Sequence, residues 1–233
     1  PVRTYFWMQS NGDLLVLDSE GLARVPRAGG TAVPVAVDNP RASGGFGNDD
    51  GLFYDAAADT FYERSDDILA SPRNCTFSRT ELASGTRSVI HDKVTLGCVG
   101  NLYRGADAFY STAGNASTPE PFYRIPLDGS AIAEVPITLP AGSPTLIIGV
   151  ANDQIYFQNE TGTFDGLGLF RVPTSGGPAE MVVSGFVIGG EVAGYPGGVI
   201  YANASNIFAI TTGATLPVAA TVSPRVGPEC VSY

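Results

Sequence analysis

The chain has 233 residues, 44% hydrophobic and only 15% charged, with a net charge of −10. That balance excludes a disordered polypeptide and permits a substantial core. The basic residues are twelve arginines and the single Lys93, scattered without a cluster, which makes nucleic acid and anionic membrane surfaces poor partners. No apolar run approaches the roughly 20 residues that cross a bilayer as a helix, so no membrane insertion is expected.

In chain order, a first strand is expected over Thr4-Tyr5-Phe6-Trp7-Met8, and a second begins at Asp13-Leu14-Leu15-Val16. A third carries Ala23-Arg24-Val25-Pro26, and a fourth follows Gly29-Gly30 over residues 32–37. The same order then returns. The second-strand motif recurs as Asp59-Thr60-Phe61-Tyr62, Asp107-Ala108-Phe109-Tyr110 and Asp153-Gln154-Ile155-Tyr156, and without its aspartate as Gly198-Val199-Ile200-Tyr201. The third-strand motif recurs as Tyr123-Arg124-Ile125-Pro126 before Gly129 and Phe170-Arg171-Val172-Pro173 before Gly176-Gly177. Looser copies are Phe77-Ser78-Arg79-Thr80 before Gly85 and Phe208-Ala209-Ile210-Thr211 before Gly213. Asn-Gly-Asp and Asn-Asp steps suit hairpins that need positive φ. Proline donates nothing to a ladder and marks where pairing stops. No segment shows a capped helical period.

Four-stranded units repeating every 40–50 residues or so are what propeller blades look like. The expected fold is therefore all-β, a β-propeller of five blades, each of four antiparallel strands. One domain spans 1–233, with blades near 3–40, 45–93, 94–140, 143–185 and 186–222 and a tail over 223–233. The tail, with Cys230, is the candidate for closing the ring. The chain starts at Pro1 rather than methionine, which fits a mature or trimmed form.

The Asp-x-aliphatic-Tyr and aromatic-Arg-Val-Pro-x-x-Gly-Gly pattern resembles the bacterial secreted propeller repeats related to the Tyr-Trp-Thr-Asp and TolB-like groups. The tryptophan of that signature is absent here, with Tyr156-Phe157 and Tyr201-Ala202 in its place. Members of those groups mostly have six or more blades, against five units here. The resemblance implies the blade architecture and a secreted, periplasmic or cell-surface location, and leaves the function open.

Cys75, Cys98 and Cys230 are the three cysteines, and His91 is the one histidine. No CxxC is present, so a zinc site of ordinary spacing cannot be built. A Cys75–Cys98 disulfide is expected; the alternative is three buried free thiols. The recurring Asp13, Asp59, Asp107 and Asp153 read first as hairpin residues and second as a ring of cation or sugar sites. Arg24, Arg124 and Arg171 suit ion pairs in a repeated structural role. Gly47-Asn48-Asp49-Asp50-Gly51 is the densest acidic turn. Asp49 and Asp50 are its candidate calcium or binding residues, without the spacing of an EF-hand; calcium is the one cofactor considered. Asn74, Asn115, Asn159 and Asn203 head Asn-x-Ser/Thr sequons, read with the bacterial resemblance as unmodified polar loops.

The function these features favour is a non-catalytic, lectin-like recognition module that binds a protein or carbohydrate. Its irregular segments, 39–50 and 66–74, are the first places to look for a site. The alternatives are a polysaccharide hydrolase and a structural subunit of a cell-surface assembly. A hydrolase needs two carboxyl groups across the scissile bond, and inner-strand positions offer only Asp49, Asp50 and Glu191. A serine–histidine–acid triad would have to use His91, expected in an outer strand.

Overall fold

The computed structural model describes residues 5–9, 11–18, 21–35, 51–67, 69–96, 98, 102–112, 121–139, 143–160, 168–184, 191–195, 198–202, 207–211 and 214–216. The chain divides into two compact units, one carrying the first two sheets and the other the remaining three.

In the first unit, one sheet is built from β1 (Tyr5–Met8), β2 (Leu14–Asp18), β3 (Gly21–Val25) and β4 (Val33–Pro34). The second is built from β5 (Leu52–Asp55), β6 (Thr60–Asp67), β7 (Asn74–Glu81) and β8 (Thr86–Val94). Both are antiparallel meanders in sequence order. Leu15, Leu22, Tyr54, Phe61 and Leu82 are buried together with Trp7 and Val35 against them. Trp7 meets Phe61 edge-on, with centroids 5.4 Å apart. The alternation of the strands supplies this core, because every second residue points to the same face.

The second unit opens with β9 (Tyr103–Arg104), β10 (Ala108–Thr112), β11 (Phe122–Pro126) and β12 (Ala133–Val135) as a third meander. After β13 (Ile137–Thr138) comes a fourth, of β14 (Ser143–Ala151), β15 (Gln154–Glu160), β16 (Gly168–Pro173) and β18 (Glu180–Ser184), with β17 (Gly177–Pro178) inserted before its last strand. The fifth comprises β19 (Glu191–Tyr195), β20 (Gly198–Ala202), β21 (Ile207–Thr211) and β22 (Ala214–Leu216). Ala108, Tyr110, Phe122 and Val135 of the third sheet share one core with Ile147, Ile155, Phe157, Phe170 and Val172 of the fourth. Phe122 meets Phe157 edge-on at 5.1 Å, and Phe157 stacks on Phe170 at 5.8 Å. The facing side chains of the two sheets are thereby hidden from water.

Because each sheet is a sequential antiparallel meander, its first–second and third–fourth turns lie at one end. Its second–third connection and its link to the next sheet lie at the other. The first kind are tight. Asn152 (φ 50°) and Asp153 (φ 57°) form a two-residue turn with the paired positive φ of a type I′ hairpin. The prolines end their ladders as expected: Pro126 pairs with Ala108 and Pro173 with Gln154, the first residues of their partner strands.

Gly176 ties the third and fourth sheets together from outside the core. Its φ is +87°, and a Cβ there would lie 2.5 Å from the Pro136 carbonyl oxygen. That close approach lets the Gly177 N–H donate to Pro136 O at 2.7 Å and lets β13 run parallel to β17. Gly29, at φ +81°, faces open space. Gly176→Ala is expected to lower unfolding free energy in urea by roughly 2–4 kcal/mol, combining a left-handed backbone with a steric clash. Gly29→Ala carries only the backbone component, about 1 kcal/mol. Equal losses for the two would contradict the close approach.

Candidate functional site

The repeated aspartates sit at the tight-turn end and act first on the backbone. The Asp59, Asp107 and Asp153 carbonyls accept the N–H of Leu82, Leu127 and Thr174 at 3.0, 3.0 and 2.9 Å. This stitches the first turn of each sheet to its third–fourth turn. The first sheet does the same job differently. Its hairpin is one residue longer than those of the third and fourth sheets and one shorter than that of the second, and the Asp13 carbonyl takes the Gln9 N–H at 2.8 Å, as the Ala108 carbonyl takes that of Gly105. Gly12 (φ +85°) then occupies the position held by Asp59 and Asp153 elsewhere. Asp13, displaced by one residue, stitches with its side chain, Oδ1 accepting the Arg27 N–H at 2.9 Å.

The arginines of the third strands make three different bonds. Arg24 crosses from the first sheet to the Asp59 carboxylate of the second (3.6 Å). Asp59 Oδ1 also accepts the Gln9 amide at 2.5 Å and the Tyr54 hydroxyl at 2.8 Å, which closes this junction with a polar plug. Arg124 stays in its own sheet, reaching Asp107 Oδ2 at 2.6 Å and hydrogen-bonding Tyr110. Burial opposes the Arg124 charge, but Asp107 and Tyr110 outweigh it and hold the guanidinium above its usual value. Arg171 donates to Glu180 Oε2 from Nε at 3.1 Å and from Nη2 at 2.8 Å, and that carboxylate raises its pKa. Burial pushes the Tyr156 phenol up, while neighbouring Arg171 pulls it down.

Two open clefts adjoin these pairs. One, of about 410 Å³, lies between the β9–β10 and β14–β15 hairpins, against Arg104, Asp107, Tyr110, Val150, Asp153 and Thr174. The other, of about 330 Å³, lies on the face of the fourth sheet that carries Gln154, Tyr156, Arg171 and Glu180. Asn152 borders both.

At the opposite end, the β6–β7 connection is tied down at both roots. Asp67 Oδ1 accepts the N–H groups of Leu69 and Ala70 at 3.1 Å each. Arg73 pairs with Asp66 at 2.5 Å, and Arg64 approaches the same carboxylate at 3.1 Å. Cys75, opposite Asp66, is joined to Cys98 in a disulfide with Cα atoms 5.4 Å apart. Between these anchors Leu69 is 92% exposed.

Other expected site residues fall as follows. Asp49, Asp50, Asn115, Asn203 and Cys230 lie outside the described residues. Glu191 opens β19 opposite Ala202, at the end where the long connections leave. His91 lies in β8, the fourth strand of its sheet, buried and edge-on to Phe77 at 6.0 Å. It is a core histidine. Buried Glu63, which no motif marked, accepts the Ser78 hydroxyl at 2.7 Å and pairs with Arg87. Alternation alone could have flagged it, since Glu63 shares the face of Phe61. Among the described residues no group of three or more His, Cys, Asp or Glu gathers to hold a metal ion.

No family model matches the chain, and no curated protein matches it in sequence. Solved structures do. A protein assigned as TolB from Agrobacterium tumefaciens is 14% identical, with 93% of this chain and 80% of that one covered and a TM-score of 0.57. A prolyl endopeptidase structure is 11% identical over 90% of this chain and 34% of that one, with a TM-score of 0.56. TolB from Acinetobacter baumannii is 9% identical, with 91% and 61% covered and a TM-score of 0.48. The chain is thus an all-β protein with a TolB-like β-propeller fold.

The Asp59 plug makes a spectroscopic prediction. Burial, reinforced by Asp59 and opposed by Gln9, pushes the Tyr54 phenol up to about 12. A raised folded pKa means that the neutral phenol is favoured in the fold. Its stabilising contribution is complete below the unfolded tyrosine value near 10 and is lost as pH rises through about 12. Tyrosinate absorbance should show a late-titrating phase that shrinks by one tyrosine in Tyr54→Phe, leaving Tyr156, and that moves in part to lower pH in Asp59→Asn. An unchanged late phase in Tyr54→Phe would contradict the assignment.

Proposed function

We propose that this chain is a non-catalytic recognition module of an exported protein, periplasmic or at the cell surface, and that its partner is a protein. The observation that supports this most is the β6–β7 connection, which holds Leu69 92% exposed between an ion pair, an aspartate cap and a disulfide. An exposed leucine on a pinned segment loses little conformational entropy on binding and gains apolar burial. A rigid scaffold that gathers its irregular connections at one end is a familiar way to present a binding surface.

Within this proposal the five sheets close into one ring over 1–233. Asp49, Asp50 and Glu191 are its candidate binding residues. The disulfide supports an oxidising compartment. The TolB-like fold is compatible with a protein-binding role but by itself selects none.

The test is to pan the immobilised full chain against a random peptide display library, with a glycan array run in parallel with and without calcium. Peptides should be enriched, and Leu69→Asp should weaken them by about tenfold or more while thermal unfolding is unchanged, as expected of a surface substitution. Glycan binding without peptide enrichment would overturn the protein-partner reading.

A further inference from the structure

The plug between the first two sheets and the cleft between the third and fourth are the same place in two copies of one design. Gln9 and Gly105 close corresponding hairpins, donating their N–H groups to the Asp13 and Ala108 carbonyls at 2.8 Å each. Tyr54 and Val150 both stand one residue before the last of their first strands, because Asp55 pairs with Thr60 as Ala151 pairs with Gln154. Leu82 and Thr174 both donate to the turn aspartate, Asp59 or Asp153. Arg24 and Arg124, Asp59 and Asp153, correspond in the same way. The charged members of the junction are kept, whereas glutamine has become glycine, tyrosine valine, and leucine threonine.

These three truncations account for the 410 Å³ cleft. Glycine at 105 is enforced locally, since a Cβ there would lie 2.7 Å from the ring of Tyr110. Arg124 has turned to Asp107 instead of crossing the junction, with Nη2 to Oδ2 at 2.6 Å. Asp153 is exposed at the rim of the cleft, and among the described residues its carboxylate has no hydrogen bond or ion pair. Its counterpart Asp59 accepts a carboxamide at 2.5 Å and a phenol at 2.8 Å.

We infer that this cleft is a binding site for a peptide side chain bearing a neutral donor, a phenol or a primary amide, which takes on Asp153 the places that Tyr54 and Gln9 take on Asp59. Charge selects the neutral group. Arg104, Asp107 and Asp153 line the site and Arg124 pairs with Asp107, so an incoming ion of either sign meets a like charge. Val150 and Thr174 on the floor suit the apolar part of the same side chain. A buried carboxylate–donor contact also rejects apolar isosteres, which leave the acceptor desolvated and unpaired. The inference rests on the reading of the chain as a protein-recognition module and adds a second contact point to it.

The test is an amide-resolved NMR titration of the full chain with the N-acetyl, N'-methylamide derivatives of tyrosine, glutamine and leucine, whose blocked ends carry no primary amide, and with a neutral disaccharide. The tyrosine and glutamine compounds should shift the amides of Gly105, Asn152, Asp153 and Thr174 saturably, and the leucine compound should not. Asp153→Asn keeps a residue that tolerates the positive φ of this turn, and Val150→Tyr refills the cleft with the side chain found at its counterpart. Each should weaken binding by about tenfold or more, about 1.4 kcal/mol or more. Equal shifts from the leucine compound, shifts from the disaccharide alone, or no shifts would overturn the site. Peptide-ligand binding that both variants leave intact would overturn this cleft while leaving the recognition reading standing.

Discussion

Within each unit, one sheet presents alternate side chains to the facing side of the next, and this face-to-face contact organises the rest. In the second unit Phe122 and Phe157 meet edge-on while Phe157 stacks on Phe170, and aliphatic residues fill the remainder. In the first unit Trp7 and Phe61 make the corresponding contact. Because strand side chains alternate, burying one face also decides what the residues at its margin must do. Toward the tight-turn end the apolar contact stops, and arginine, aspartate and tyrosine take over. The polar junctions and the clefts are therefore consequences of where the apolar face ends.

That division of labour explains why one motif position can be structural in one sheet and available in another. Asp59 is committed to Gln9, Tyr54 and Arg24, whereas Asp153 has the same backbone role without the same side-chain partners. In the second, third and fourth sheets the backbone bond from the turn aspartate to the third–fourth turn holds the hairpin whatever its side chain does. Variation at the junction can thus open or fill a cleft without dismantling the sheet. The second–third connections at the other end vary in length and sequence.

Much of the architecture was legible because the repeat is carried by residues with strong backbone meaning. Asp153, Asn152, Pro126 and Pro173 stand where a turn or a ladder end demands them, and the outer-strand position of His91 followed from counting strands. The expected disulfide also formed, between Cys75 in β7 and Cys98, four residues past the end of β8, which pairs with β7. The one-residue displacement of Asp13 was hidden, since an Asn-Gly-Asp turn of either length leaves the motif intact. The clefts were hidden for a deeper reason. They depend on which residue of one sheet opposes which residue of the next, and that register emerges only when strand pairings in both sheets are known. Leu69 was concealed likewise, because an exposed leucine and a buried one look the same in a short irregular segment.

The central claim, that consecutive sheets are held face to face by these side chains, is tested most directly by a double-mutant cycle in which Phe122→Leu and Phe157→Leu are made singly and together and unfolded in urea. The account predicts a coupling of about 0.5–1.5 kcal/mol from the aromatic pair. Additive losses, with coupling indistinguishable from zero, would mean that the third and fourth sheets do not meet through these rings, and the account of the junctions would fall with them.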